Sequence, residues 1–73
     1  MIANLLRVYD ELAGNPITAP LAVALRARLT ENHISVGNYM RLATILAKAA
    51  PAYSIEPNVV NEIFIKHADL DRA

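Results

Sequence analysis

Residues 36–50 read VGNYMRLATILAKAA, and this stretch decides the fold class. When it is drawn as a helix, its polar side chains fall on one narrow stripe and nearly all other positions are apolar. A helix that is apolar over most of its circumference is usually covered on several sides. The stretch therefore predicts a central helix from Val36 to about Ala50, which Pro51 ends. The polar stripe consists of Gly37, Asn38, Arg41, Thr44 and Lys48.

Two helices are predicted before this segment. In residues 2–13, apolar side chains recur at three- and four-residue spacing, and Gly14-Asn15-Pro16 follows as a stop signal. The second helix, from about Ala19 to Glu31, has leucines at four-residue steps, and residues 30–33 are expected to form the next turn. The predicted core face of the first helix consists of Ile2, Leu5, Leu6, Tyr9, Leu12 and Ala13, with Asn4, Arg7 and Glu11 pointing away.

A fourth helix is predicted from about Pro57 to His67. It places Val59, Val60, Ile63 and Phe64 on one face, although its β-branched content leaves a strand as the alternative. Residues 69–73 are expected to form a loose C-terminal tail after a single helical domain of residues 1–68. The pattern thus predicts an all-α bundle of about four short helices, in which Leu25, Leu42, Leu46 and Phe64 are buried.

An apolar residue followed by a hydroxyl precedes each of the last three helices. The pairs are Ile17-Thr18, Ile34-Ser35 and Tyr53-Ser54. A hydroxyl at the start of a helix can accept a hydrogen bond from a free amide of the first turn, so we expect three N-caps. Ile34 would pack on Tyr39 in the same arrangement. Very short extended segments at these pairs remain an alternative.

Composition and charge restrict the function classes. The chain has 73 residues, a formal net charge of zero and no cysteine. No run approaches the roughly 20 apolar residues of a membrane span. The first residues do not resemble a signal peptide, because charged residues from Arg7 onward interrupt the apolar run. We expect a monomer in the cytoplasm.

The residues that could perform chemistry are few and scattered. His33 and His67 lack metal-ligand spacing, and Asp10 and Glu11 are adjacent, so they point in different directions on a helix. Gly14 and Gly37 are the only glycines, too few for a phosphate-binding loop. We therefore expect neither enzymatic activity nor a cofactor or metal site.

Positive charge is concentrated in the middle of the chain. Residues 17–53 carry four basic side chains and one acidic side chain, whereas residues 54–73 carry two basic and four acidic ones. We predict a partner-binding surface that combines this charge with an apolar patch around the fourth helix, where Ile55 and Val59 would accompany Tyr53 and Ile65. The candidate residues are Arg26, Arg28, Arg41, Lys48, Tyr53 and Ile65.

The same charges permit a second interpretation. The second and third helices could form a helix-turn-helix pair with Arg41, Thr44 and Lys48 on a DNA-reading face, as in a phage repressor. Zero net charge and the absence of a basic arm argue against direct DNA binding. An oligomerisation or adapter module is a further alternative.

A resemblance covers the whole chain, through MIANLLRVYDELAGNPITAP (1–20), SVGNYMRLATILAKAAPAY (35–53) and NEIFIKHADLDRA (61–73). In these segments the chain resembles the small host-RNA-polymerase-binding regulators of lytic Xanthomonas phages. The resemblance implies binding to the β and β′ subunits of bacterial RNA polymerase, near the N-terminus of β′. It also implies inhibition of initiation by displacement of the sigma factor, and antitermination at late phage genes.

Overall fold

The computed structural model describes residues 2–32 and 39–68. These residues form four α-helices and one short 3-10 helix, and no strand occurs among them. The helices are α1 (Ile2–Ala13), α2 (Ala19–Asn32), α3 (Tyr39–Ala49), the 3-10 helix (Ala50–Tyr53) and α4 (Pro57–Ala68). The all-α prediction is confirmed, and residues 57–67 are helix rather than strand. The predicted tail 69–73 lies outside the described residues.

The core is made almost entirely of aliphatic side chains that the four helices place between them. α1 packs against α2 and α4, while α3 packs mainly against α4 and over a smaller area against α2. The four residues predicted to be buried are at most 1% exposed, which confirms that prediction. The buried apolar residues are Leu5, Val8, Leu12, Leu21, Ala22, Leu25, Leu42, Ala43, Leu46, Ala47, Ala50, Ile55, Val60, Ile63 and Phe64.

The core-facing side of α1 differs from the predicted one. Val8 is fully buried, whereas Leu6 is 58% exposed and Ala13 is also exposed. Asn4, predicted to point away, is only 6% exposed. The buried face is thus rotated towards Asn4 and Val8, because α1 must cover both α2 and the end of α4.

Asn4 is buried because it completes the hydrogen bonding of another helix. Its Nδ2 atom donates to the carbonyl oxygens of His67 at 3.0 Å and Ala68 at 3.3 Å, in the last turn of α4. The last carbonyls of a helix have no amide partner within that helix. A buried side-chain amide from α1 therefore supplies donors that α4 itself lacks.

Two of the three expected N-caps have other roles. The hydroxyl of Thr18 donates to the carbonyl of Leu12 at 2.7 Å and so ties the loop back to the end of α1. Ser54 has φ 61° and ψ 34°, and its amide donates to Pro51, so it ends the 3-10 helix instead of starting α4. The third expected cap, Ser35, lies outside the described residues, as does Ile34.

The boundaries and environment of two helices also differ from the sequence prediction. α2 continues to Asn32, through residues expected to turn. α3 is described from Tyr39, so the predicted residues 36–38 lie outside the description. α3 is not covered on most sides, because Met40, Arg41, Thr44 and Lys48 are all exposed. With α4 and α2 on one side only, its opposite side faces solvent.

Tyr39 joins the beginning of α3 to α4. Its ring lies 5.1 Å from that of Phe64, measured between centroids, and the two planes are tilted by 57°. Its hydroxyl donates to the Phe64 carbonyl at 2.5 Å. A tilted aromatic pair with a hydrogen bond from the phenol orients one helix on the other. The exposed side of α3 is therefore held in a defined position by the core.

Candidate binding surface

All six residues predicted to bind a partner are exposed. They are distributed over α2, α3, the 3-10 helix and α4. Tyr53, which is 47% exposed, lies in the 3-10 helix that follows the C-terminal end of α3. Lys48 lies in the last turn of α3, so these two residues belong to the same end of that helix.

Arg26 and Arg28 point to different sides of α2. They are two residues apart, and successive residues of an α-helix turn by about 100°. Their side chains therefore point about 160° apart, to nearly opposite sides of the helix. One flat partner surface therefore cannot contact both. Arg26 is exposed, and its backbone carbonyl accepts a hydrogen bond from the Thr30 hydroxyl at 2.9 Å, within the helix.

The exposed side of α3 is the most coherent part of the predicted surface, and we call it the α3 face. It consists of Met40, Arg41, Thr44 and Lys48, which fall within about 100° of the helix circumference. Met40 is 50% exposed, and the Thr44 hydroxyl donates to the Met40 carbonyl at 3.2 Å. Among the described residues, neither Arg41 nor Lys48 has an ion-pair partner.

The apolar patch predicted around the fourth helix is smaller than expected, because only Tyr53 and Ile65 of its four predicted members are exposed. Ile55 is 5% exposed and belongs to the core, and Val59 is half-buried against the core. Ile65 is 57% exposed, but it shares the outer side of α4 with the polar residues Asn58 and Glu62. Burial of Ile55 follows from the turn at the 3-10 helix, where its amide donates to the Ala50 carbonyl at 3.1 Å.

A polar cluster that the sequence analysis missed connects α1 to the end of α4. The Oε1 atom of Glu11 lies 3.1 Å from Lys66 Nζ and 2.7 Å from His67 Nε2. Hydrogen bonds from His67 first, and then from Lys66, lower the pKa of Glu11 from its ordinary value of 4.5. Because an ionised carboxylate only accepts hydrogen bonds, Nε2 of His67 is the donor.

Beside this cluster lies an open groove with a volume of about 390 Å³. One side of the groove is formed by α4, and the other side by the end of α1 and the loop that follows it. Its lining is mixed, with apolar side chains and charged side chains of both signs. The lining residues are Glu11, Asn15, Thr18, Val59, Glu62, Ile63 and Lys66.

No sequence signal pointed to these contacts. Asn4 and Glu11 lie 63 and 56 positions from His67 in the sequence, and neither helix contains a motif that pairs them. The periodicity of α1 even assigned Asn4 and Glu11 to solvent. Only the packing of α1 against the last turn of α4 brings these residues together.

Residues 2–32 and 39–68 contain neither a metal-binding cluster nor a membrane-spanning helix. No group of three or more His, Cys, Asp or Glu residues there is arranged to hold a metal ion. In the same residues, none of the helices has the length and apolar character needed to cross a membrane. His33 lies outside this part of the chain.

Comparison with protein-family models, with curated proteins and with solved structures found no match to this chain. The choice of a binding surface therefore depends on the exposure and charge of its own residues. On those grounds the α3 face, with Tyr53 at its end, is the candidate binding surface.

Proposed function

We propose that this protein is a phage-encoded transcription regulator that binds bacterial host RNA polymerase through the β and β′ subunits. In this proposal it inhibits initiation by displacing the sigma factor and supports antitermination at late genes. It acts as a binding protein without catalytic activity of its own, in the host cytoplasm. The partner is taken from the resemblance described above, and the α3 face is the surface that we assign to the contact.

The observation that best supports binding to a protein is the composition of the α3 face. Protein interfaces are enriched in Arg, Met and aromatic residues relative to the rest of the surface. Met40 and Arg41 are neighbours on α3, and the exposed Tyr53 follows at its other end. Arginine also binds carboxylates in a bidentate manner, which suits a partner with acidic side chains.

The size and rigidity of the domain suit a competitor of the sigma factor. The domain measures 33 × 25 × 19 Å, which is long enough to contact two neighbouring subunits. A helical surface that is already formed loses little conformational entropy on binding. Little of the binding free energy is therefore lost to ordering the chain. The protein then competes with the sigma factor if the binding sites of the two proteins on polymerase overlap.

Binding to purified bacterial core polymerase tests the proposal directly. We expect the wild-type protein to bind core enzyme, and the double variant R41E/K48E to bind at least tenfold more weakly with an unchanged circular-dichroism spectrum and melting temperature. The matched control is R7E, a charge reversal on the exposed side of α1, which should bind as the wild type does. Wild-type affinity in R41E/K48E would show that the α3 face is not the contact.

Release of the sigma factor tests the activity. Adding the protein to holoenzyme that carries a labelled sigma factor should release the label and reduce promoter-dependent transcripts, while elongating complexes should read through terminators more often. If the protein instead binds duplex DNA with an affinity that falls steeply with salt, a repressor is favoured. Self-association at micromolar concentration without polymerase binding would favour an oligomerisation module.

A further inference from the structure

We propose that the α3 face binds an acidic amphipathic helix of the partner, in which two carboxylates are separated by about two helical turns. The inference rests on the proposed function in taking the α3 face as the contact surface. It goes further in specifying the secondary structure, the charge and the spacing of the partner segment.

The spacing follows from the positions of the two cations on α3. Arg41 and Lys48 are seven residues apart, which corresponds to about 10.5 Å along the helix axis and nearly the same side of it. Two acidic residues at positions i and i+7 of a partner helix have the same separation. A helix that lies along α3 can therefore pair both cations at once, in either direction.

The uncharged residues of the α3 face favour a helical partner with an apolar side chain. Thr44 lies between the two cations and is short, and its hydroxyl is occupied by the Met40 carbonyl, so a partner backbone can approach closely there. The half-exposed Met40 lies beside Arg41, and a thioether side chain adapts to irregular apolar surfaces. We expect one apolar residue in the partner next to the carboxylate that pairs with Arg41.

Two observations favour an acidic protein segment over nucleic acid. The chain as a whole carries no net charge, whereas binding to a phosphate backbone depends on a broad positive surface. An exposed methionine also contributes little to a phosphate contact, because it offers no hydrogen-bond donor. Arg26 and Arg28 diverge on α2, so they do not extend the two cations of α3 into a continuous basic surface.

Short alanine-based helical peptides with a lactam staple provide the test. The first peptide carries Glu at i and i+7 with Leu beside one Glu, and the second has the same composition with the two Glu residues at i and i+5, on opposite faces. Amide chemical shifts of the labelled protein are followed at low salt. We expect the shifts to change mainly in residues 39–49. The first peptide should bind up to roughly fivefold more tightly, because it can form one exposed ion pair more than the second peptide.

The selectivity for the first peptide should vanish in R41E/K48E and persist in R7E. Equal affinity for the two peptides, or shift changes centred away from α3, would overturn the inference. So would tighter binding of a 12-base-pair DNA duplex to the same residues, which would assign the surface to phosphate contacts.

The two experiments distinguish a failure of this inference from a failure of the proposed function. Polymerase binding that depends on Arg41 and Lys48 without peptide selectivity leaves the regulator proposal in place and removes the acidic helix. Selective peptide binding by a protein that does not bind polymerase leaves the acidic helix in place and removes polymerase as the partner.

Discussion

The variant N4D should destabilise the fold strongly, although asparagine and aspartate have the same shape. Asn4 is buried, and its Nδ2 atom donates to two carbonyl oxygens at the C-terminal end of α4. A carboxylate in the same position offers no donor and brings a negative charge to the negative end of the helix macrodipole. The substitution therefore replaces two favourable contacts by repulsive ones without changing the packing volume.

The expected cost can be assembled from these contacts. Two hydrogen bonds, at 3.0 and 3.3 Å, contribute together about 2 kcal/mol to the free energy of unfolding. The unfavourable interaction of the charge with the end of α4 adds roughly 1 kcal/mol. A loss of about 3 kcal/mol corresponds to a fall in melting temperature of roughly 12 °C or more in a domain of this length.

Thermal and urea unfolding at pH 7, followed by far-UV circular dichroism, measures this loss. The control is N58D, which makes the same chemical change at an exposed position in the first turn of α4. A negative charge there faces the positive end of the same dipole, so N58D should be neutral or slightly stabilising. N4A, which removes the donors without adding a charge, should lie between N4D and the wild type in stability.

One result would refute the reasoning. If N4D and N58D unfolded at the same temperature as the wild type, Asn4 would not hold the end of α4, and the rotation of α1 described above would be incorrect. If N4A were as unstable as N4D, the hydrogen bonds alone would account for the effect and the dipole contribution would be negligible.

Three further predictions concern the core, the polar cluster and the end of the 3-10 helix. L46A should lower the free energy of unfolding by about 2–5 kcal/mol in urea titrations, because Leu46 is 1% exposed. The contacts with His67 and Lys66 lower the folded-state pKa of Glu11, so its contribution is present above the unfolded value and is lost as pH falls through the folded one. E11Q should therefore be less stable than the wild type at pH 7, and the difference should shrink at pH 3. S54G should raise the melting temperature or leave it unchanged, with a gain of up to about 1 kcal/mol, because φ is 61° at Ser54 and glycine adopts that region without a steric cost.

The apolar periodicity was sufficient to predict the helices and most of the core. The prediction of buried side chains is confirmed at Leu25, Leu42, Leu46 and Phe64. Leucine and phenylalanine on the apolar side of a helix are usually buried. The exposure of Arg41 and Lys48 also followed from the pattern, since their polar stripe is the side of α3 that no other helix covers. Each of these predictions depends only on the pattern of side chains within a single helix.

The ends of the helices were predicted less well, because several hydrogen-bonding patterns and backbone conformations are possible there. Thr18 and Ser54 are residues that often cap helices, yet one bonds to the preceding helix and the other adopts the left-handed conformation. Both outcomes depend on where the following helix must go. The local sequence is compatible with each alternative and does not choose between them.

Only the tertiary structure decided which polar residues of α1 contact α4. Asn4 and Glu11 contact the last turn of α4, more than 50 residues away, while Leu6 is left in solvent. The spacing of side chains along α1 sets which residues share a side, but the rotation of that side depends on the neighbours it packs against. Burial of Leu5, Val8 and Leu12 against the neighbouring helices sets this rotation. It brings the amide of Asn4 and the carboxylate of Glu11 to the C-terminal end of α4, where carbonyl oxygens lack amide partners and two side chains are basic.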